Sequence, residues 1–181
     1  AGTAWRVLGQ QVMLASHSRP EDRMNPDAWD GYRASRSRLL SNLGPGRVPD
    51  VVTLTGDYHS SWAMDVAPDP FASSYRPDSG SGAVSVEFVA PAISSEPLGA
   101  TPGLPESFAS DAQQLPHVRW IDAEHNGYLL LDIDRERSQG EWYFERDVTR
   151  PVPDEHFGAA FATARGASRL EAVERSPGSL A

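Results

Sequence analysis

The chain has 181 residues and a mass of 19.7 kDa, enough to bury one core, so a single domain is expected. With 16 Lys and Arg against 25 Asp and Glu the formal charge is −9, which argues against non-specific binding to nucleic acid; an anionic substrate would need local positive charge, most cheaply from metal ions. The absence of cysteine excludes a disulfide framework and a thiolate metal site, and no run has the roughly 18 apolar residues of a membrane span or the shape of a signal peptide.

The sequence opens Ala-Gly-Thr-Ala-Trp-Arg-Val-Leu-Gly without an initiator Met and enters a strand-like pattern at once, which reads as a processed or excised piece. Residues 5–14, with Val7, Leu8, Val12 and Met13, predict a strand running into a loop at Ala15. Over 33–43 the spacing predicts the clearest helix: Asn25 or Asp30 as cap, Tyr32, Arg36, Leu39, Leu40 and Leu43 on one face, Gly44 at the C-terminal end. Arg33, Arg36 and Arg38 read either as a solvated stripe or as groups able to approach a phosphate. Trp29 and Tyr32 read as a pocket wall or as aromatic packing at a helix entry.

The most informative stretch follows. The β-branched run Val51-Val52-Thr53-Leu54-Thr55 ends in Gly56-Asp57-Tyr58-His59, so a buried strand delivers a carboxylate and an imidazole to its C-terminal end. Side chains two apart on an extended segment point to the same side, which would let Asp57 and His59 converge on one or two metal ions, with Gly56 making the exit turn. By itself Asp-x-His reads equally as a turn carboxylate beside a solvated imidazole.

Residues 67–82, rich in Pro, Ser, Asp and Gly, predict a loop, and 83–90 predict a strand in which Glu87 either supports a site or marks an exposed edge. A short helix is expected near 106–114. Three β-like runs, 117–122, 127–133 and 141–148, suggest an antiparallel meander, the second buried and the third half-exposed. His117 and His125 are minor ligand candidates only, since a lone His beside a turn is more often a hydrogen-bonded surface residue than a ligand. Two short β-like runs within 157–173 join near Gly166, and a frayed Ser-Pro-Gly-Ser tail follows. The fold class is therefore β-rich α/β or α+β, with few helices and long loops.

Five stretches in order then resemble one family: Leu8-Gly9-Gln10-Gln11-Val12; Trp29-Asp30-Gly31-Tyr32 opening an Arg-bearing helix; Leu54-Thr55-Gly56-Asp57-Tyr58-His59-Ser60-Ser61-Trp62; Val86-Glu87-Phe88-Val89 with Ile93-Ser94-Ser95; and Asn126-Gly127-Tyr128. Together they resemble the C-terminal part of alkaline phosphatase D (PhoD-like) proteins, which include secreted phospholipase D-type phosphodiesterases. The resemblance implies the C-terminal half of a four-layer αββα metallophosphoesterase sandwich spanning residues 1–181, with the N-terminal part absent. It also implies a dinuclear metal centre, iron with calcium or zinc, ligated in part by Asp57 and His59, and an entrance segment at Trp29, Asp30 and Tyr32. The family's remaining ligands lie in the missing half, so the expected partners are an N-terminal chain of the same enzyme and a small phosphate ester or phospholipid head group. No nucleic acid and no integral membrane segment are expected, and the expected location is extracellular. One departure is Asn126, where the family often has Arg. The rival expectations are a metal-free, non-catalytic β-rich domain that shapes a cleft, and a metallohydrolase acting on nucleotides.

Overall fold

The computed structural model describes residues 2–17, 19, 25–151 and 154–177. Its elements are strand β1 (Arg6–Gln10), a 3-10 turn (Trp29–Tyr32) leading into helix α1 (Arg33–Leu40), β2 (Val51–Thr55), β3 (Ser61–Val66), β4 (Ser85–Val89), α2 (Phe108–Gln113), β5 (Val118–Asp122), β6 (Asn126–Ile133), β7 (Arg137–Glu145), β8 (Glu155–Ala164) and the short β9 (Glu171–Ala172). Five strands form one sheet in the order β1-β2-β4-β3-β5, and β6 to β9 form an antiparallel meander. In the first sheet β1, β2 and β4 are parallel, whereas β3 runs antiparallel to both β4 and β5.

Alternation along the strands decides what each face meets. Val52, Ala63, Val86 and Phe88 pack against Trp142, Phe144 and Phe161 of the second sheet, and Trp120 stacks among them. The opposite face of the first sheet presents Trp62, Met64, Val66 and Val89 to Leu40 of α1, to Ala112 and Leu115 around α2, and to the buried segment Met13-Leu14-Ala15. Covered on both sides, β3 and β4 are buried at every residue, as central strands with two packed faces must be. Three layers, helix, sheet and sheet, are thus present among the described residues, in an α+β, β-rich fold.

Several expectations change at this level. β1 ends at Gln10, and residues 11–17 form a loop. The chain leaves the site turn directly into β3, a strand that the sequence reading did not separate from its surroundings; its inward Ser61 and Asp65 break the apolar pattern. β5 pairs with β3 and leaves the meander to β6, β7 and β8, because Asp122 Oδ1 accepts the Glu124 and His125 amides and turns the chain out of the first sheet. Burial of the next two strands is the reverse of expectation: β7 lies between two neighbours and is buried, while β6 is an edge strand and mostly half-buried. Helix α1 stops at Leu40, its cap is Tyr32 with no side-chain capping bond, and Gly44 at φ 94° serves the turn beyond it. Ser176 is buried and donates its amide to Glu141, so the start of the tail is docked on β7; residues 178–179 of the tail lie outside the described residues, as do Val152 and Pro153.

Glu87 is the largest correction. It lies on central β4, not on an edge, and is fully buried. Its carboxylate accepts the Leu14 amide at 2.9 Å, the Ala15 amide at 2.6 Å and the Thr55 hydroxyl at 2.5 Å. Burial pushes its carboxyl above the usual range, and those donors together with the nearby Arg36 charge pull it back. Glu87→Ala would strand two buried amides, so a loss of about 3 kcal/mol or more is expected in urea unfolding, against less than about 0.5 kcal/mol for the exposed Arg38→Ala.

Candidate functional site

The C-terminal ends of β1 and β2 open on a cleft of about 180 Å³ lined by Gln11, Asn25, Asp27, Asp57, Tyr58 and His59, among others. Asp57 and His59 arrive there by a different route from strand alternation. The Tyr58 amide donates to the Gly56 carbonyl at 2.8 Å, closing a three-residue turn centred on Asp57. Asp57 sits at φ 68° and His59 at φ 50°, both in the left-handed region, while Gly56 needs no positive φ. This positive-φ form of γ-turn is the rarer and more strained one, and it persists only where surrounding structure enforces it.

The enforcement is visible. The Leu98 amide donates to the His59 carbonyl at 2.8 Å, and His59 Nδ1 lies 3.0 Å from the Glu96 carbonyl. A carbonyl can only accept, so Nδ1 carries the proton and Nε2 keeps its lone pair. Trp62 Nε1 donates to Ser60 Oγ, which in turn donates to the Tyr58 carbonyl. Asp57 is exposed and its carboxylate makes no hydrogen bond or ion pair among the described residues. An unencumbered carboxylate beside an imidazole with one oriented, free nitrogen is a donor set that suits a divalent or trivalent cation. Among the described residues no group of three or more His, Asp or Glu is gathered closely enough to hold a metal, so these two side chains form part of a ligand set.

The other predicted site residues are distributed differently. Trp29 donates from Nε1 to Gln10 Oε1 at 2.9 Å, which ties the 3-10 turn to the end of β1. Asp30 clamps the loop after β1, accepting Ser16 Oγ at 2.9 Å and lying 3.6 Å from His17 Nδ1, and it lines a neighbouring cavity. Tyr32 is 61% exposed and lines neither cavity. The structure therefore brings Asp57 and His59 together and leaves Trp29, Asp30 and Tyr32 outside their cleft. Sequence reading missed Tyr58: its ring lines the cleft, meets His17 edge-on at 5.3 Å, and its phenol is pushed up to about 12 by burial and by Asp30. Asp27 and Asn25 of the cleft wall were also missed as site residues; their one signal was proximity to Trp29 in the chain.

His117 and His125 have other roles. His125 pairs with Asp122 at 2.8 Å and stacks on Phe144. His117 is fully buried and donates from Nε2 to the Ser16 carbonyl, with Nδ1 unpartnered among the described residues. Arg36 is likewise no part of a solvated stripe: it is buried and donates to the carbonyls of Leu14, Ala67 and Pro68.

A two-sheet α+β protein with its helices on one face and an acid–imidazole turn at the ends of parallel strands is the class defined by these features. The model of the PhoD-like phosphatase family matches residues 1–142, and the chain belongs to that family. It is 28% identical over 166 residues to alkaline phosphatase D of Bacillus subtilis (strain 168), an alignment that takes in 88% of this chain and 25% of that protein. The solved structure of PhoD superposes with a TM-score of 0.75 at 25% identity, over 96% of this chain and 32% of that one. The chain thus spans about a quarter to a third of the length of these relatives.

Two outcomes follow. Burial lowers the His117 imidazole to about 4 from an unfolded value of 6.5, with Arg36 and Arg119 adding to the shift and Ser16 and Asp30 opposing it. Above pH 6.5 the ring is neutral folded and unfolded; below it the unfolded chain takes up a proton that the fold refuses, so stability falls between pH 6.5 and about 4. His117→Gln is expected to remove up to about 1.4 kcal/mol per pH unit from the slope of unfolding free energy in that window. At the strained turn, Asp57→Gly is expected to be about 1 kcal/mol more stable than Asp57→Ala in urea melts.

Proposed function

We propose that residues 1–181 are the C-terminal part of a metallophosphoesterase catalytic domain that hydrolyses phosphate esters, diesters foremost. The observation that carries this reading is the Asp57–His59 turn: one carboxylate without a partner among the described residues and one imidazole whose Nδ1 is fixed on the Glu96 carbonyl, held in strained backbone at the mouth of a cleft. Membership of the PhoD-like phosphatase family supports it.

Asp57 and His59 would hold the metal, Asp57 neutralising charge and His59 binding through Nε2. When bound, a centre of this kind polarises phosphate oxygens and lowers the pKa of a water for in-line attack at phosphorus. Iron with calcium or zinc suits an oxygen and imidazole donor set. Tyr58 walls the cleft and keeps its phenolic proton near neutral pH, so it can donate a hydrogen bond but not act as a base. The bound Glu96 carbonyl stops the His59 ring from rotating, so its free nitrogen is presented in one direction. For a diester the leaving group would be an alcohol such as choline, ethanolamine or glycerol.

Two ligands do not hold two metals, and the further ligands would come from an N-terminal part of the same enzyme, acting as a second chain outside the cell.

Hydrolysis of bis(4-nitrophenyl) phosphate by this chain combined with the N-terminal part is the test, read together with metal content. Stoichiometric iron or zinc is expected, with rate and metal both lost on His59→Ala or Asp57→Asn, by more than the roughly 100-fold that a merely supporting residue would cost. Full activity in both variants would overturn the assignment; metal-free protein with an unchanged melting curve in chelator would favour a non-catalytic, cleft-shaping domain.

A further inference from the structure

The carbonyl that orients His59 belongs to a stretch with little structure of its own. Residues 93–96, between Pro91 and Pro97, are exposed, Ile93 by 70%, and donate no backbone hydrogen bond among the described residues. A segment with so few contacts of its own opens at little cost. Yet it brings the Glu96 carbonyl to 3.0 Å from His59 Nδ1, so its course must be set from outside.

The hold comes from the connection between β5 and β6. Asn126 Nδ2 donates to the Ser95 carbonyl at 2.7 Å and to the Ala92 carbonyl at 3.1 Å. Both partners can only accept, so the amide nitrogen and not the oxygen must face them. The Gly127 amide adds a bond to the Ala92 carbonyl at 3.0 Å, and the Gly99 amide reaches the Ala123 carbonyl at 2.8 Å. The connection is itself braced, because Asp122 Oδ1 accepts the Glu124 and His125 amides and Oδ2 holds His125 Nδ1 at 2.8 Å. Residues 92–99 are thus held near both ends by residues 123–127.

One of these bonds acts next to Glu96. The Ser95 carbonyl lies in the peptide plane that enters Glu96, and Pro97 on the far side restricts Glu96 to extended backbone. With the entering plane fixed and the residue between restricted, the direction of the Glu96 carbonyl is set. We propose that Asn126 is a positioning residue for His59: through the Ser95 carbonyl it holds the Glu96 carbonyl on Nδ1, which keeps the proton there and leaves Nε2 free to bind. The inference deepens the reading of His59 as a metal ligand and rests on it. Asn126 meets two carbonyls three residues apart with two N–H groups on a short stem, which a carboxylate of the same shape cannot do.

The NMR shifts of the two ring nitrogens of neutral His59, measured on the metal-free 181-residue chain, test the link by reporting which nitrogen carries the proton. The intact chain is expected to show Nδ1–H. Asn126→Asp and Asn126→Ala should both move the ring toward a mixture of tautomers while the Trp142 Nε1–H resonance of the sheet interface stays in place. Tyr128→Phe, which removes an exposed bond to Glu155 two residues along β6, should leave the tautomer unchanged. In the chain combined with the N-terminal part, zinc affinity should fall about tenfold or more in both Asn126 variants. An unmoved tautomer, the same movement in Tyr128→Phe, or unchanged zinc affinity would each overturn the proposal, as would loss of the folded spectrum in both Asn126 variants, which would make Asn126 a part of the general framework. Zinc-free wild-type enzyme with the tautomer still answering to Asn126 would overturn the ligand reading and uphold the Asn126–His59 link, so the two failures are separable.

Discussion

A buried carboxylate on a central strand governs the geometry of this protein. Glu87 stands on the helix-side face of β4, where an isolated charge would be costly, and its cost is offset only because two amides and a hydroxyl point at it. Those donors belong to the loop after β1 and to the last residue of β2. One side chain therefore fixes both of the strand ends that frame the Asp57–His59 cleft. The same loop is held from its other sides by Arg36 at the Leu14 carbonyl, by His117 at the Ser16 carbonyl and by Asp30 at Ser16 and His17. A loop buried this deeply persists because its backbone groups find partners.

The sheet interface uses the same device. Asp65 on β3 is buried and accepts Tyr75 Oη, the Leu170 amide and an ion pair from Arg119, which binds the loop after β3 and the chain beyond β8 to the first sheet. Glu141 on β7 accepts Gln139, Tyr143 and the Ser176 amide and draws the end of the described chain onto the outer face of the second sheet. Between these polar anchors lies an aromatic layer in which Trp142 meets Phe88, Trp120 and Phe161, and Trp142 Nε1 finds the Val89 carbonyl at 2.9 Å. Apolar packing joins the sheets, and the buried acids fix their register and the position of the loops around them.

The cleft inherits its shape from this framework. Left-handed backbone at Asp57 and His59 is tolerated because β2, β3 and residues 96–98 hold both sides of the turn. The result is that an acid and an imidazole face one cleft without the extended geometry that a strand would supply. The neighbouring cavity, lined in part by Ser16 and Asp30, comes from the same loop anchoring.

The apolar runs at 51–55 and 83–90 and the Gly-Asp-x-His that ends the first were enough to place two strands and the acid–imidazole pair, since burial on two faces leaves a continuous β-branched signature. Five ordered segments were enough to reach the family. Sequence could not tell that Glu87 lies at the centre and not at an edge, that β5 belongs with β3, or that β7 is more buried than β6, because strand order is set by pairings between residues far apart in the chain. Nor could it show that Arg36 is buried while its helix neighbours Arg33 and Arg38 are exposed: all three are the same residue on one short helix, and only the carbonyls of Leu14, Ala67 and Pro68 select which one is drawn inside. Residue chemistry at a strand end is local and legible; which charges are desolvated, and against what, is decided by the fold.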